Sequence, residues 1–347
     1  MVAAGSFWTG STEHGLTEGF RSEGWVVQEV DKEHFFPRGV TRIEQVFQRI
    51  VVAKRAAHYE AAVLAACRHL RPDVLFTVKG AHLSRRTFET ARELGIRTVC
   101  FWPDRDFEHR SLDVTALLES DLFVTTKSFQ MAWLAERGMA GRSAFVPHGY
   151  DPDAHLPVWR KLSEGDYTAD IRYIGNYSPA KQYWLEGLDH GLPEANLRLV
   201  GNRWGEELPW ATASRLVEAP KYLAAEYALA IQTARINVAV HAGKGANGWE
   251  DLVSTRTFEI PACGGFMLHI DNDEVREYYE VGTEIDVFSG IDDLVDKCRF
   301  YLNHENTRRR MAERARDRCV PAYSYHSRAR DILDALAVCG AVRGLGA

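Results

Sequence analysis

The chain lacks the features that mark specialised protein classes. None of its apolar runs approaches the ~18 residues of a membrane-spanning helix. Ala61–Cys67, fenced by Glu60 and Arg68, stops after seven. The opening segment MVAAGSFW has neither a basic stretch nor an apolar core long enough for a secretion signal. Six cysteines, at 67, 100, 263, 298, 319 and 339, form no CxxC or CxC pair. That spacing argues against a disulfide framework and fits buried, reduced thiols in a cytoplasm. No HExxH, no Cys/His cluster of zinc spacing and no GxxxxGK[ST] occurs, which argues against zinc and P-loop chemistry. With 27 glycines and 12 prolines among 347 residues, the chain is neither collagen-like nor low-complexity. No internal repeat is visible. A formal net charge of −6 gives no overall reason to expect nucleic acid or an anionic membrane as partner.

What is present is ordinary globular composition, 46% hydrophobic and 26% charged, over a length suited to two domains. Short β-rich runs alternate with helical patterns. Strands are expected at Val26–Val30, Val74–Val78, Thr98–Trp102, Leu122–Thr126 and Ala144–Pro147. A second set falls at Ile171–Ile174, Leu197–Val200, Ile236–Val240, Phe266–Ile270 and Ile285–Phe288. A further first strand before Gly5 would be short, because only Val2-Ala3-Ala4 precedes it. Helical patterns at Thr12–Glu23, Thr41–Leu70, Ser84–Leu94, Ser128–Arg137, Ala180–Leu188, Tyr222–Ala234, Asp292–Leu302 and Tyr323–Val338 make the connections crossovers. Such alternation predicts parallel sheets covered on both faces. Between the sets, residues 146–166 hold Pro147, Pro152 and Pro157 without periodicity, an interdomain connection. The expected fold class is α/β with two doubly wound domains: 1–150, a linker at 151–166, 167–320, and a terminal helix within 321–347 that can pack back on the first domain. Ligands in such sheets sit at the carboxyl ends of strands.

The densest chemistry lies in Asp251–Gly265, DLVSTRTFEIPACGG. Ser254 or Thr255 is placed to cap a helix that runs through Glu259 until Pro261 and Gly264 disturb it. A helix N-terminus offers free N–H groups and partial positive charge, which suit phosphate. Arg256, in the first turn, opposes the helix dipole, a placement that an anionic ligand would offset. Glu259 shares its face three residues on. Its carboxylate can accept two hydrogen bonds from a ribose diol, or pair with Arg256 on a solvated face.

The run S-x-R-x-F-E-I-P-A-C-G from Ser254, followed by Phe266-Met267-Leu268, resembles the CgeB-like, spore-maturation branch of the GT-B glycosyltransferases (glycosyl transferases group 1). Tyr173-Ile174-Gly175-Asn176 is similar to the first strand and phosphate turn of that family's C-terminal domain. Val146-Pro147-His148-Gly149-Tyr150-Asp151, with Pro157 beyond, is similar to its strand-end motif before the linker. Gly282-Thr283-Glu284-Ile285, the helical run Leu302–Ala315, Tyr325 and Arg328 also fit, and the likeness is strongest over 250–330. The resemblance implies a GT-B fold, two facing Rossmann-like domains with an interdomain cleft. It implies that Glu259 binds the ribose of a nucleotide-sugar, and that Arg256, the Gly175–Asn176 turn and Lys181 bind its diphosphate. Many retaining relatives carry an E-x7-E pair whose second Glu corresponds to Glu259. The first position is Asp251 here, with shorter reach toward the donor sugar.

Two further motifs compete with that reading. Gly243-Lys244-Gly245-Ala246-Asn247-Gly248 spells GxGxxG, but Trp249-Glu250-Asp251 follows where a dinucleotide fingerprint would open a helix. An NAD-dependent oxidoreductase is therefore the weaker alternative. The loop, with Lys244 and Asn247, is placed to close over the sugar side of the donor, or is a plain surface loop. Asp104-Arg105-Asp106 spells the D-x-D that holds Mn²⁺ or Mg²⁺ against a diphosphate. Asp151–Asp153 and Asp271–Asp273 repeat the pattern, so no metal site is expected.

Asp104, just past a strand's carboxyl end, is a candidate base for an acceptor hydroxyl, or a turn former beside Pro103. His14, in the glycine- and hydroxyl-rich Gly5–Gly15 loop, is a second candidate base or an exposed loop histidine. Gly10 and Ser11 would let the backbone approach the sugar or diphosphate. The charge is also unevenly spread: net +1 over 1–150, −7 over 151–347, and +7 over 38–97, where Arg42, Arg49 and Arg85–Arg86 lie on helices. This is either helix-surface charge or the footprint of an acidic acceptor: a phosphorylated carrier, an anionic glycan or nucleic acid. The combined expectation is a cytoplasmic, metal-independent glycosyltransferase of hexosyltransferase type. It would use no cofactor, take a UDP-, GDP- or TDP-sugar and slightly favour retention. A nucleotide-sugar epimerase or hydrolase on the same fold, and a non-catalytic nucleotide-sugar binding protein, are the alternatives.

Overall fold

The computed structural model describes residues 1–36, 42–107, 114–157 and 162–344. The chain divides into two units, Met1–Pro147 joined by the C-terminal helix from Tyr325, and His148–Ser324. The stretch read as a linker, 151–166, groups with the second unit, and its residues 158–161 lie outside the described residues. Residues 321–324 stay with the second unit as well, where Tyr150 N–H donates to Tyr323 O at 3.2 Å.

The first unit contains one sheet of six strands. These are β1 (Val2–Gly5), β2 (Gln28–Asp31), β3 (Val74–Val78), β4 (Arg97–Trp102), β5 (Leu122–Thr125) and β6 (Ser143–Phe145). Their order is β2-β1-β3-β4-β5-β6, and every pairing is parallel. The short strand before Gly5 is real. Its four residues are all buried, and Val2 lies opposite Leu75 of β3. All five residues of β3, VLFTV, are buried because helices cover both faces. Alternation assigns them to layers: Phe76 joins Phe20 and Phe101 on one face, and Leu75 joins Trp102 and Phe123 on the other.

The second unit repeats the plan with β7 (Ala169–Ile174), β8 (Leu197–Val200), β9 (Val217–Ala219), β10 (Ala234–Ala239), β11 (Met267–Ile270) and β12 (Asp286–Phe288). The order β12-β11-β10-β7-β8-β9 reverses direction between β7 and β10. Counted within the unit, this is the 3-2-1-4-5-6 order of dinucleotide-binding sheets, whose ligands lie at that reversal. In the first sheet the reversal falls between β1 and β3. Ile171, Tyr173, Val238 and Leu268 fill one face of the second sheet, and Ile174, Val200, Ala239 and Met267 the other.

The C-terminal helix Tyr325–Gly344 packs on helix Thr12–Ser22 within the first unit. Two glycines one turn apart allow the approach. A Cβ on Gly15 would stand 2.7 Å from Tyr325 Cδ2, and one on Gly19 would stand 2.7 Å from Ala329 Cβ and 2.9 Å from the His326 backbone. Ile332 and Leu336 then reach the core beside β3. All six cysteines are buried thiols. No helix among the described residues is long and apolar enough to cross a membrane.

Candidate functional site

In the second unit, helix Thr255–Ala262 starts at Ser254, whose extended backbone makes it the N-cap and whose amide donates to Thr257 Oγ1 at 3.1 Å. Arg256, in its first turn, reaches across two strand ends. Its Nη2 donates to Val240 O, just past β10, at 3.1 Å. Its Nη1 would stand 2.8 Å from a Cβ on Gly175, just past β7, so only glycine leaves it room there. Its Cζ lies 5.3 Å from the Tyr173 ring centroid. The guanidinium therefore sits at the reversal between β7 and β10.

No carboxylate lies within ion-pair distance of Arg256 among the described residues, and its Nε and the Tyr173 hydroxyl are buried without hydrogen-bond partners. Arg172, on β7 itself, is the contrast. It is 1% exposed, and its Nε and Nη2 each bond a Glu218 oxygen at 3.0 Å. Arg256 is half-buried, and the negative charges of Glu259 and Asp251 act on it only from beyond ion-pair distance. A sheltered guanidinium without a bonded counter-charge is costly, and an anion between the strand ends would offset that cost.

Glu259 does not pair with Arg256 on a solvated face. It is buried, accepts the Tyr227 hydroxyl on Oε2 at 2.7 Å, and faces His155 Nε2 with Oε1 at 3.7 Å. His155 Nδ1 accepts the Asp151 amide at 2.9 Å, which leaves the ring proton on Nε2, toward Glu259. Burial, and next the negative charge of Glu259, hold the Tyr227 hydroxyl well above its ordinary pKa, so it remains a donor. Neither Tyr227 nor His155 was expected from the sequence. They come from helix Ala224–Gln232 and the turn after β6, far from Glu259 in the chain.

His269 on β11 was also missed. Its Nδ1 donates to Ile270 O at 2.7 Å, so Nε2 accepts the Thr257 hydroxyl at 3.0 Å. Burial lowers its pKa to about 4, with the Arg256 charge adding to the effect against the carbonyl bond. The neutral ring thus buttresses the first turn that carries Arg256.

After β7 the chain turns at Gly175–Asn176 and enters helix Pro179–Gly191, capped by Ser178. The Gly175 amide donates to Val200 O at 2.8 Å and its carbonyl accepts Trp204 Nε1 at 2.8 Å. Gly175 therefore contributes closeness rather than a free donor. Asn176 Oδ1 accepts from the Asn202 amide at 3.1 Å. Half-buried Lys181 donates to Asn176 O at 2.8 Å. Burial and then the Arg256 charge depress its pKa to about 7, with Asp251 opposing. Asp251 thus acts electrostatically on the cation cluster.

The Gly243–Gly248 loop folds on itself and opens no helix. Gly248 N–H donates to Gly245 O at 3.0 Å, and Asn247 Oδ1 accepts the Trp249 amide at 3.0 Å. A Cβ on Gly243 would stand 2.8 Å from Ala180 Cβ, so the loop lies against the Lys181 helix. A dinucleotide fingerprint is not formed here, because the helix starts only at Thr255.

In the first unit, Ser11 is buried and used locally. It caps helix Thr12–Ser22 by accepting the His14 amide at 3.0 Å, and its hydroxyl donates to Ser6 O at 2.9 Å. Gly10 takes φ 97°, the left-handed turn glycine permits. His14 is half-buried in the first helical turn rather than on an open loop. Beside it, Glu13 packs against Gly5 at the end of β1, and burial raises its pKa. Asp104 Oδ2 lies 2.7 Å from Lys79 Nζ, the side chains 49% and 41% exposed, and Arg105 Nε donates to Asp106 at 2.8 Å. The two D-x-D carboxylates each face a separate cation. The side chains of Arg42 and Arg49 lie outside the described residues.

Solved structures share this architecture over nearly the whole chain. Sucrose-phosphate synthase from Thermosynechococcus elongatus matches with TM-score 0.65 at 13% identity, covering 98% of this chain and 99% of its own. A glycosyltransferase from Rickettsia africae matches with TM-score 0.61 at 10% identity, covering 97% of each chain. HepE from Anabaena, solved with UDP and with UDP-glucose, gives TM-score 0.59 at 11% identity for the UDP complex, covering 97% and 99%. Two six-stranded parallel sheets with flanking helices, the second in nucleotide-binding order, give the chain the GT-B fold. A family model described as glycosyl transferase-like matches residues 180–334, the stretch that holds Lys181, Arg256 and Glu259. No curated protein matches the chain in sequence.

Proposed function

We propose that the chain is a glycosyltransferase, of the CgeB-like type its motifs resemble, that moves a hexosyl group from a nucleotide diphosphate-sugar to an acceptor hydroxyl. The observation that carries this reading is the half-buried Arg256 guanidinium at the β7–β10 reversal, its Nε sheltered and unpartnered and no carboxylate within ion-pair distance among the described residues. The family match and the UDP-bound neighbour support it. In this account Arg256 and protonated Lys181 hold the diphosphate and stabilise the charge it gains as the glycosyl bond breaks, so no metal is needed. Glu259, fixed by Tyr227 and His155, receives the ribose hydroxyls. Asp251 lies on the sugar side with the Asn247 loop. His14 or Asp104 would orient or deprotonate the acceptor, which the basic 38–97 stretch suits if it is acidic. Retention and a cytoplasmic setting complete the proposal.

Thermal-shift titration with UDP-, GDP- and TDP-sugars and NAD, followed by product mass spectrometry on an acceptor panel, tests it. Stabilisation by a sugar nucleotide and an EDTA-resistant glycosylated product are expected. Stabilisation by NAD alone would overturn the reading. An altered free sugar without transfer would favour an epimerase or hydrolase, and binding without turnover a binding protein.

A further inference from the structure

The second unit has a cavity of ≈ 970 Å³ at the other end of its sheet, where β7, β10 and β11 begin. Its walls come from the segment before β7, the start of β10, the turn Gly264–Gly265, and helix Glu305–Cys319, and they carry Arg235, Arg308, Arg309, Arg310 and Arg316. Local carboxylates match only part of this charge. Arg235 pairs with Glu164 at 2.5 Å and Asp170 at 3.3 Å, and Arg309 pairs with Glu305. Among the described residues no carboxylate lies within ion-pair distance of Arg308, Arg310 or Arg316, although Glu313 is also on the wall.

Burial makes the mismatch significant. Arg308 is 2% exposed; its Nη1 donates to Tyr301 O at 2.7 Å, and its Nη2 has no partner. Arg309 Nε and Arg316 Nε are likewise buried and unpartnered. The Tyr167 ring orders the cluster from one side, with Arg235 4.6 Å and Arg308 5.6 Å from its centroid. The helix carrying four of the five arginines begins at this wall with Glu305 and Asn306, so its positive end adds to the field. Several guanidinium donors around one cavity suit a phosphate's multiple oxygens, and the volume is that of a small-molecule site rather than a single ion.

We propose that this cavity is a second anion site, distinct from the Arg256 site, that takes a phosphorylated small molecule. Helix Thr255–Ala262 carries Arg256 near its start and leads into the Gly264–Gly265 turn on the cavity wall, so one helix joins the two sites.

Calorimetric titration with inorganic pyrophosphate, run on the Arg256→Ala chain, separates this proposal from the donor-site reading. The Arg256→Ala chain is expected to bind pyrophosphate. Adding Arg309→Gln with Arg316→Gln should weaken binding by about tenfold or more. Arg310→Glu, an exposed change with little risk to folding, should weaken it in the same direction. Absence of pyrophosphate binding to the Arg256→Ala chain, or binding unchanged by Arg310→Glu, would overturn the second site while leaving the Arg256 assignment open to its own test.

Discussion

Both sheets are six-stranded and parallel with one reversal of strand order, and their carboxyl ends differ in charge chemistry. In the first unit, Lys79 faces Asp104, Arg105 bonds Asp106, and Ser11 is used as a helix cap. In the second, Arg256 has no carboxylate partner and Lys181 has its pKa pushed down beside it. Matched, half-exposed pairs contribute little and attract no ligand charge. Unmatched, sheltered cations select for an anion. A doubly wound sheet provides a place for a ligand, and the residual charge at that place decides whether the ligand is a phosphate.

Four experiments sharpen or break this contrast. The largest effect is expected from Glu259→Ala, which should lower turnover by about 100-fold, since it removes the proposed ribose acceptor and leaves the buried Tyr227 hydroxyl unsatisfied. Steady-state kinetics with unchanged circular dichroism checks this. Turnover within twofold of native would remove Glu259 from the site. Gly19→Val comes next. It forces side chain against the His326 backbone and should cost about 1–3 kcal/mol in denaturant unfolding, without changing nucleotide affinity in the surviving folded fraction. Unchanged stability would mean the helices are not in such close contact.

Lys181→Met should weaken diphosphate binding about tenfold at pH 7 and abolish its pH dependence. The sign follows from the depressed pKa. Free Lys181 loses its proton as pH rises through about 7, and a bound diphosphate restores it, so binding takes up protons and weakens between pH 7 and 9. The unfolded chain holds more protons than the folded one between about 7 and the ordinary lysine value, so ligand-free stability rises with pH across that window. Calorimetry in two buffers of different ionisation enthalpy measures the uptake; equal heats would contradict it. The smallest effect belongs to Asp104→Asn, which should alter nucleotide affinity by less than about twofold, because exposed pairs of this kind contribute little. A large loss would erase the distinction between the two units.

Much of this fold is legible in the sequence where local pattern and burial agree. VLFTV at Val74–Val78 reads as a strand buried on both faces, and Ser254 before Thr255–Ala262 reads as a helix start. The strand Val217–Ala219 was not legible, being three residues at a sheet edge with an exposed Glu218 backbone position between two half-buried neighbours. The linker reading at 151–166 followed proline density, but Asp151–His155 folds into the turn that aims His155 at Glu259. Arg256 and Glu259 stand out as candidates in the sequence because they share one helix. Tyr227, His155 and His269 do not, because tertiary packing, rather than spacing, brings them there. Glu13 carries no signal in the sequence, because its packing against Gly5 depends on the close approach of helix and strand.

The most direct test of the account is titration of native and Arg256→Ala chains with whichever of UDP, GDP or TDP the native chain binds, beside the matching nucleoside. A charge-assisted phosphate contact at Arg256 predicts a loss of about 10- to 100-fold for the diphosphate and no change for the nucleoside. Equal diphosphate affinity in the two chains would contradict the assignment of the β7–β10 reversal as the diphosphate site.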